Sequence, residues 1–294
     1  MKVAVLGTGA WGRAFGAGLE RNGHDVAFIS RQDSVIPDGV EMIFVAVPAQ
    51  AVRSRLQSLA LPQVPLISLA KGIEISTGLR VTQIMQQVAP GRAVGSVSGP
   101  GLAGEVSMGK PTVLVVATDD PAVTETVQKI VHSKYLRTYR SSDVPGVEFG
   151  GALKNIFAIG AGVCAGLRIG ENAMAGLVTR SLAEMVRIGL AGGSKMETLF
   201  GLSGLGDLML TAYSESSRNH KVGVALAEGR GLNEILETLG GVAEGVYTTR
   251  AIYQLTEERK IKAPIVRETF QVLFETKSPV TAMHDLLTRN VDAE

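Results

Sequence analysis

Lys154 and Asn155 stand side by side in the run Gly150-Gly151-Ala152-Leu153-Lys154-Asn155-Ile156-Phe157-Ala158-Ile159-Gly160-Ala161. An ammonium group in so apolar a stretch requires a solvated end, a ligand or a matched anion, because a buried charge is costly without a partner. At helical spacing, Gly150 and Gly151 lie one turn before it and Ala158 and Ala161 after it, so its face carries little bulk apart from Phe157. That face has the character of a pocket wall, or of an amphipathic helix whose lysine snorkels to solvent. Two further polar sets follow. Gly201-Leu202-Ser203-Gly204-Leu205-Gly206-Asp207-Leu208 places one carboxylate in a glycine-rich turn. Ser217-Arg218-Asn219 then opens a helical pattern with hydroxyl, guanidinium and amide together, a set suited to phosphate and equally the make-up of a serine-capped helix with a surface arginine.

A third set lies at the other end of the chain. Gly7-Thr8-Gly9-Ala10-Trp11-Gly12 spells G-x-G-x-x-G directly after a β-type run, Lys2 to Leu6, and directly before a helical pattern through Glu20. In that setting the glycines make a tight turn, let the backbone approach a pyrophosphate and point helix amides at the anion. The next β-type run, Asp25 to Ser30, is followed by Arg31 where an NAD-type loop usually places an acid; an arginine suits a 2′-phosphate and favours NADP, or tolerance of NAD and NADP, with Asp33 nearby softening the preference. Gly104 to Lys110 imitates a P-loop, but Pro111 replaces the hydroxyl residue that would hold magnesium. His24, His132, His220 and His284 lack metal-ligand spacing, so no metal site is expected, and no G-x-S-x-G nucleophile turn occurs.

The elements that must position these groups fall into two blocks. Short β-type runs (2–6, 25–30, 41–47, 65–70, 93–98, 112–117 and 135–139) alternate with helical patterns up to about Tyr139, which predicts a mainly parallel sheet with helices on both faces. Beyond Ser141 helical periodicity dominates, over 147–167, 173–189, 217–229, 232–239, 246–258 and 265–274. The expectation is an α/β Rossmann-like N-terminal dinucleotide-binding domain, residues 1–140, followed by an all-α substrate and catalytic domain, residues 141–294. With 29 Lys and Arg against 28 Asp and Glu, the net charge of +1 provides no field for nucleic acid or an anionic membrane. Glycines break the N-terminal apolar run, and no run reaches the roughly 18 apolar residues of a membrane span, so no stable membrane insertion is expected. One cysteine, Cys164, excludes an intrachain disulfide and reads as a small core residue; a cytoplasmic location follows as the expectation.

Taken together, these segments resemble the bacterial-type NAD(P)-dependent glycerol-3-phosphate dehydrogenases over nearly the whole chain. The resemblance rests on the glycine loop with Trp11, Ala46-Val47-Pro48, Ala70-Lys71-Gly72-Ile73-Glu74, Ser98-Gly99-Pro100 with Ala103, Glu105 and Val106, Gly151 to Asn155, Gly204 to Leu208, Ser217 to Asn219 and Val242 to Val246. It implies reduction of dihydroxyacetone phosphate to sn-glycerol 3-phosphate, reversibly, for glycerophospholipid synthesis. It further implies Lys154 as general acid/base, its pKa lowered by Lys71; Lys71 and Asn155 as groups orienting the carbonyl; and Asp207 as the group fixing Lys154 or a substrate hydroxyl. Ser217, Arg218 and Asn219 would hold the substrate end, Gly99 and Gly101 would line its cavity, and Ala10, Trp11, Arg31, Ala103, Arg218, Val242 and Glu244 would meet the cofactor. A small phosphorylated substrate is thus the expected partner, with a homodimer within the expectation.

Three departures stand out. Gly101 replaces a common Ser or Thr, Met174 replaces a common Arg, and the stretch from Arg31 to Glu41 omits about a helix and a strand, which should leave the adenine end of the cofactor more exposed. These departures keep two alternatives in view: a related dehydrogenase for another hydroxy acid or phosphorylated substrate, and an NADPH-binding regulatory protein without turnover.

Overall fold

The computed structural model describes residues 1–289. Seven strands, β1 (Lys2–Leu6), β2 (Asp25–Ile29), β3 (Met42–Val45), β4 (Leu66–Ser68), β5 (Val94–Ser98), β6 (Thr112–Thr118) and β7 (Leu136–Ser141), form one sheet in the order β2-β1-β3-β4-β5-β6-β7. Neighbours are parallel except at β5 and β6, so the last two strands run against the first five. The period of two sorts β1 between two cores. Val3 and Val5 join Phe15, Phe44 and Leu136 on one face, while Ala4 and Leu6 join Ile43, Val45, Leu66 and Ile84 on the other. Helices α1 (Ala10–Arg21), α2 (Val52–Gln57), α3 (Val81–Val88), α4 (Ala103–Ser107) and α5 (Pro121–Val131) accompany these strands.

β2 is the edge of the sheet. In the common doubly wound order a third strand would extend the sheet beyond the second; here residues 30–41 cross directly to β3 without helix or strand, and Ile36 and Val40 plug the core beneath them. The omission expected from the short 31–41 stretch is therefore a missing outer layer.

The remaining described chain is helical: α6 (Val144–Gly166), α7 (Glu171–Ala191), α8 (Met196–Leu199), a π-helical turn at Leu202–Gly206, α9 (Asp207–Tyr213), α10 (Arg218–Ala227), α11 (Leu232–Thr238), α12 (Glu244–Glu258), α13 (Pro264–Phe274) and α14 (Pro279–Thr288). Asp143 starts α6 by accepting the Gly146 N–H at 2.9 Å, and also takes the Lys195 N–H at 2.8 Å. By length and composition α6 could cross a membrane, with a mean hydropathy of 1.3, although Glu148 and Lys154 interrupt its apolar run. Its apolarity has another cause: 83% of that stretch is buried, because the helix is the axis around which the others pack. Arg80 and the Thr82 N–H, at the start of α3, both bond the buried Glu148 carboxylate of α6 and so bolt the sheet layer to this axis.

Candidate active site

The C-terminal ends of the parallel strands β1, β3, β4 and β5 lead into the segments that carry Gly7, Pro48, Lys71 and Gly99, the side on which such sheets bind ligands. After β1, Gly7 adopts φ 115°, and a Cβ there would lie 2.8 Å from the Ala46 carbonyl. A Cβ on Gly12 would strike the Gly7 carbonyl oxygen. Gly9 precedes α1 without any side-chain cap, leaving the first amides of the helix to face the loop. This geometry suits a cradle for the pyrophosphate of a dinucleotide. Ala10 begins α1, Trp11 packs on Phe15, and Ala103 begins α4 against the same core. Arg31 is exposed just past β2. Asp33 turns back instead, its carboxylate accepting the Ser30 N–H at 2.6 Å, and hydrogen bonding from the Ser30 side chain and backbone lowers its pKa.

Opposite the cradle, one carboxylate joins two ammonium groups. Asp207, fully buried, receives Lys71 Nζ on Oδ2 at 2.5 Å and Lys154 Nζ on Oδ1 at 3.1 Å. Lys71 also donates to the Gly99 carbonyl at 2.9 Å and lies 5.8 Å from the Trp11 ring centre. Lys154, 8% exposed, donates to Thr211 Oγ at 2.7 Å. Burial pushes its ammonium down from 10.5 to about 8; the Lys71 charge adds to this and Asp207 opposes it. The snorkelling alternative for Lys154 is thus ruled out by its burial. Thr211 carries no signal as an isolated residue, but its place four after Asp207 puts both on one face of α9.

Two expectations change here. Asp207 is the first residue of helix α9, entered through the π-helical turn, rather than part of a loose glycine-rich turn; this sets its carboxylate rigidly. The small residues beside Lys154 do not clear empty space either. A Cβ at Gly150 would lie 2.6 Å from the Ser203 carbonyl oxygen, and one at Gly151 2.5 Å from Ser98 Oγ and 3.3 Å from Lys71 Cγ. They let neighbouring segments approach the helix, and that approach is what delivers Lys71.

Asn155 Nδ2 donates to the Lys71 carbonyl at 3.0 Å and to that of Gly151 at 3.3 Å, and its Oδ1 accepts Asn219 Nδ2 at 2.9 Å. Asn219 Oδ1 in turn accepts the Gly245 N–H at 3.0 Å. Ser217 caps α10 by accepting the His220 N–H. The Arg218 guanidinium lies against Gly241, beside the exposed Val242, and its charge is felt at Glu244. Glu244 Oε1 accepts the Ala49 N–H at 3.0 Å, and burial raises this carboxyl from 4.5 to about 7. At Gly101 the structure shows what replaces a side chain: a Cβ would sit 3.0 Å from Trp11 Cη2, so the indole fills that room. Met174 lies in the first turn of α7. Gly104 to Lys110 is α4 and its end, with Lys110 paired to Glu105. Cys164 is buried, its thiol pushed up to about 11, and no group of metal-ligating side chains occurs among the described residues.

A glycine loop of dinucleotide-binding type and a buried lysine whose pKa is lowered to about 8 fit the class of nicotinamide-nucleotide-dependent oxidoreductases. Residues 143–284 match the C-terminal region, and residues 2–38 and 36–124 the N-terminal region, of the family described as NAD-dependent glycerol-3-phosphate dehydrogenase. The break at 36–38 falls in the shortened crossover. Glycerol-3-phosphate dehydrogenase [NAD(P)+] of Citrifermentans bemidjiense is 38% identical over 331 aligned positions, covering 100% of this chain and 98% of the relative. That of Thiobacillus denitrificans is 39% identical, with 100% of both covered. The crystal structure of glycerol-3-phosphate dehydrogenase from Coxiella burnetii superposes with a TM-score of 0.92 at 31% identity, covering 98% of this chain and 99% of that one. The chain belongs to the NAD-dependent glycerol-3-phosphate dehydrogenase family.

Proposed function

We propose that this chain reduces dihydroxyacetone phosphate to sn-glycerol 3-phosphate, reversibly, using NADPH or NADH. The observation that carries the reading is Lys154, buried, held by Asp207 and Thr211 with Lys71 on the same carboxylate, its pKa lowered to about 8. The glycine loop, Trp11 and Arg31 would hold the reduced nicotinamide nucleotide, which when bound would supply the hydride for C2. As C2 gains the hydride its oxygen gains charge; the Lys154 ammonium donates the proton that completes the secondary alcohol, and in the reverse direction the neutral amine accepts it. Lys71 brings a second positive charge to the forming oxyanion while Asp207 fixes both cations. Ser217 and Arg218 would meet the substrate phosphate. Asn155 and Asn219 act as positioning residues, since their amides tie the Lys71 backbone, α6, α10 and α12 together. Gly99 holds Lys71 through its carbonyl, and Gly101 with Trp11 walls the cavity.

The Arg31 side chain, beside an Asp33 already committed to its own turn, supports a preference for NADPH. We infer further that residues up to about 140 bind the cofactor and the remainder bind substrate, that the enzyme works in the cytoplasm without membrane insertion, and that its product feeds glycerophospholipid synthesis. A steady-state assay of NADPH and NADH oxidation with dihydroxyacetone phosphate tests the reaction. Lys154→Ala is expected to abolish turnover while retaining cofactor binding; near wild-type turnover, or a preference for a nonphosphorylated hydroxy acid, overturns the reading.

A further inference from the structure

A cavity of about 790 Å³ shares no lining residue with the proposed active site. Its apolar wall is made by Leu226, Leu232, Leu236, Val246 and Phe274, and its polar groups include Arg230, Arg250, Lys277 and Tyr247. Two of the three cations are already matched: Arg230 pairs with Glu234 and bonds Thr238, and Lys277 pairs with Glu268 and Asp285. Arg250 lies 4.4 Å from the Phe274 ring centre, and no carboxylate among the described residues pairs with it. An apolar trough of ligand size with one uncommitted guanidinium is complementary to a molecule with a long apolar part and a single anionic head.

The walls connect this cavity to the proposed active site. α10 carries Ser217 at its cap and Arg218 and Asn219 in its first turn, and Leu226 at its other end lines the cavity. α12 directs Glu244 toward Ala49, whereas Val246, Tyr247 and Arg250, spaced for one helical face, line the cavity. We propose that this cavity is a regulatory site for an anionic amphiphile, a single alkyl or acyl chain ending in a phosphate or carboxylate. The chain lies along Leu232, Leu236 and Phe274, and the head meets Arg250. Occupancy acts on α10 and α12 and changes the Michaelis constant for the reduced cofactor. The kinetic part rests on the proposed dehydrogenase reaction; the binding part does not.

Isothermal titration calorimetry of the full chain with dodecyl phosphate and with laurate, both below their micelle concentrations, separates the two kinds of head group. Dodecyl maltoside and inorganic phosphate serve as comparisons. Saturable one-site binding is expected for at least one anionic amphiphile, about tenfold tighter than for dodecyl maltoside and about tenfold weakened by Arg250→Glu or Leu232→Asp. The same ligand should shift KM for NADPH about twofold or more in the wild type and not in Arg250→Glu. Equal binding of the maltoside, binding of inorganic phosphate alone, or unchanged binding by Arg250→Glu overturns the site. Binding that leaves KM unchanged overturns its regulatory role, and an inactive enzyme that still binds the amphiphile locates the failure in the proposed reaction.

Discussion

Replacing Asp207 by Asn keeps the shape of the side chain and removes the single negative charge between two buried ammonium groups. The Lys154 pKa of about 8 is a balance in which burial and Lys71 depress it and Asp207 raises it. At the observed 3.1 Å, one carboxylate attracts one ammonium by roughly 5 kcal/mol at an effective dielectric of about 20. If the Asn dipole and local relaxation recover half of this, the loss still moves the Lys154 pKa down by about two units, at about 1.4 kcal/mol per unit. At pH 7 the ammonium fraction would fall from about nine-tenths to about one-tenth. The expected result in Asp207→Asn is a fall of about tenfold or more in kcat for dihydroxyacetone phosphate reduction at pH 7. The alkaline limb of the pH profile should move from near 8 to near 6, so that the gap narrows in more acidic buffer. The profile is the decisive measurement: a variant that is slow but keeps its limb near 8 would show that Asp207 does not set the proton affinity of Lys154, and the electrostatic argument would fail.

Three other outcomes are expected. Arg31→Asp should shift the ratio of kcat/KM values toward NADH, and an unchanged ratio would show that Arg31 does not meet the 2′-phosphate. Glu184 on α7 accepts the Ile265 and Val266 N–H groups at the start of α13, and burial raises its carboxyl from 4.5 to about 7. Because its folded pKa lies above the unfolded one, this group favours folding at acid pH and loses about 3 kcal/mol of that contribution as pH rises from 4.5 to 7. The stability difference between wild type and Glu184→Gln, measured by urea unfolding across that window, should change accordingly; a constant difference would refute the assignment. Glu148→Ala leaves the Arg80 guanidinium without its buried partner and should destabilise the fold by about 3–5 kcal/mol, detectable by the same titration, with a loss below about 1 kcal/mol counting against the bolt between α3 and α6.

The parts of the molecule legible from the sequence are those written in strong periodicities. All seven β-type runs are strands, because near-continuous apolar runs such as Ile43 to Val47 suit a sheet covered on both faces. The short helices α8, α9 and α14 escaped the pattern. α9 has only seven residues after a glycine-rich lead, and glycines weaken a helical signal even where the π-helical turn leads straight into the helix. The cation pair at Asp207 is legible only through family resemblance, since Lys71 follows β4, far from α6 in sequence, and spacing cannot bring it to that helix. The role of the glycines beside Lys154 is hidden from the sequence for the same reason. Periodicity shows which face is small, but the Ser203 carbonyl and Ser98 hydroxyl that occupy it come from distant segments.

The junction at Asp207 has one more consequence. Lys71 is supplied by the sheet layer, whereas Lys154, Thr211 and Asp207 belong to the helical layer. The proton affinity of Lys154 is therefore a shared property of both layers, assembled only where they touch. Any hinge between them that withdrew Lys71 would leave Asp207 matched to Lys154 alone and raise the proton affinity of the amine, so a splayed molecule would hold its proton and a closed one would release it. The same contact that keeps the two layers in register would then act as an interlock, arming the proton transfer at the moment of closure.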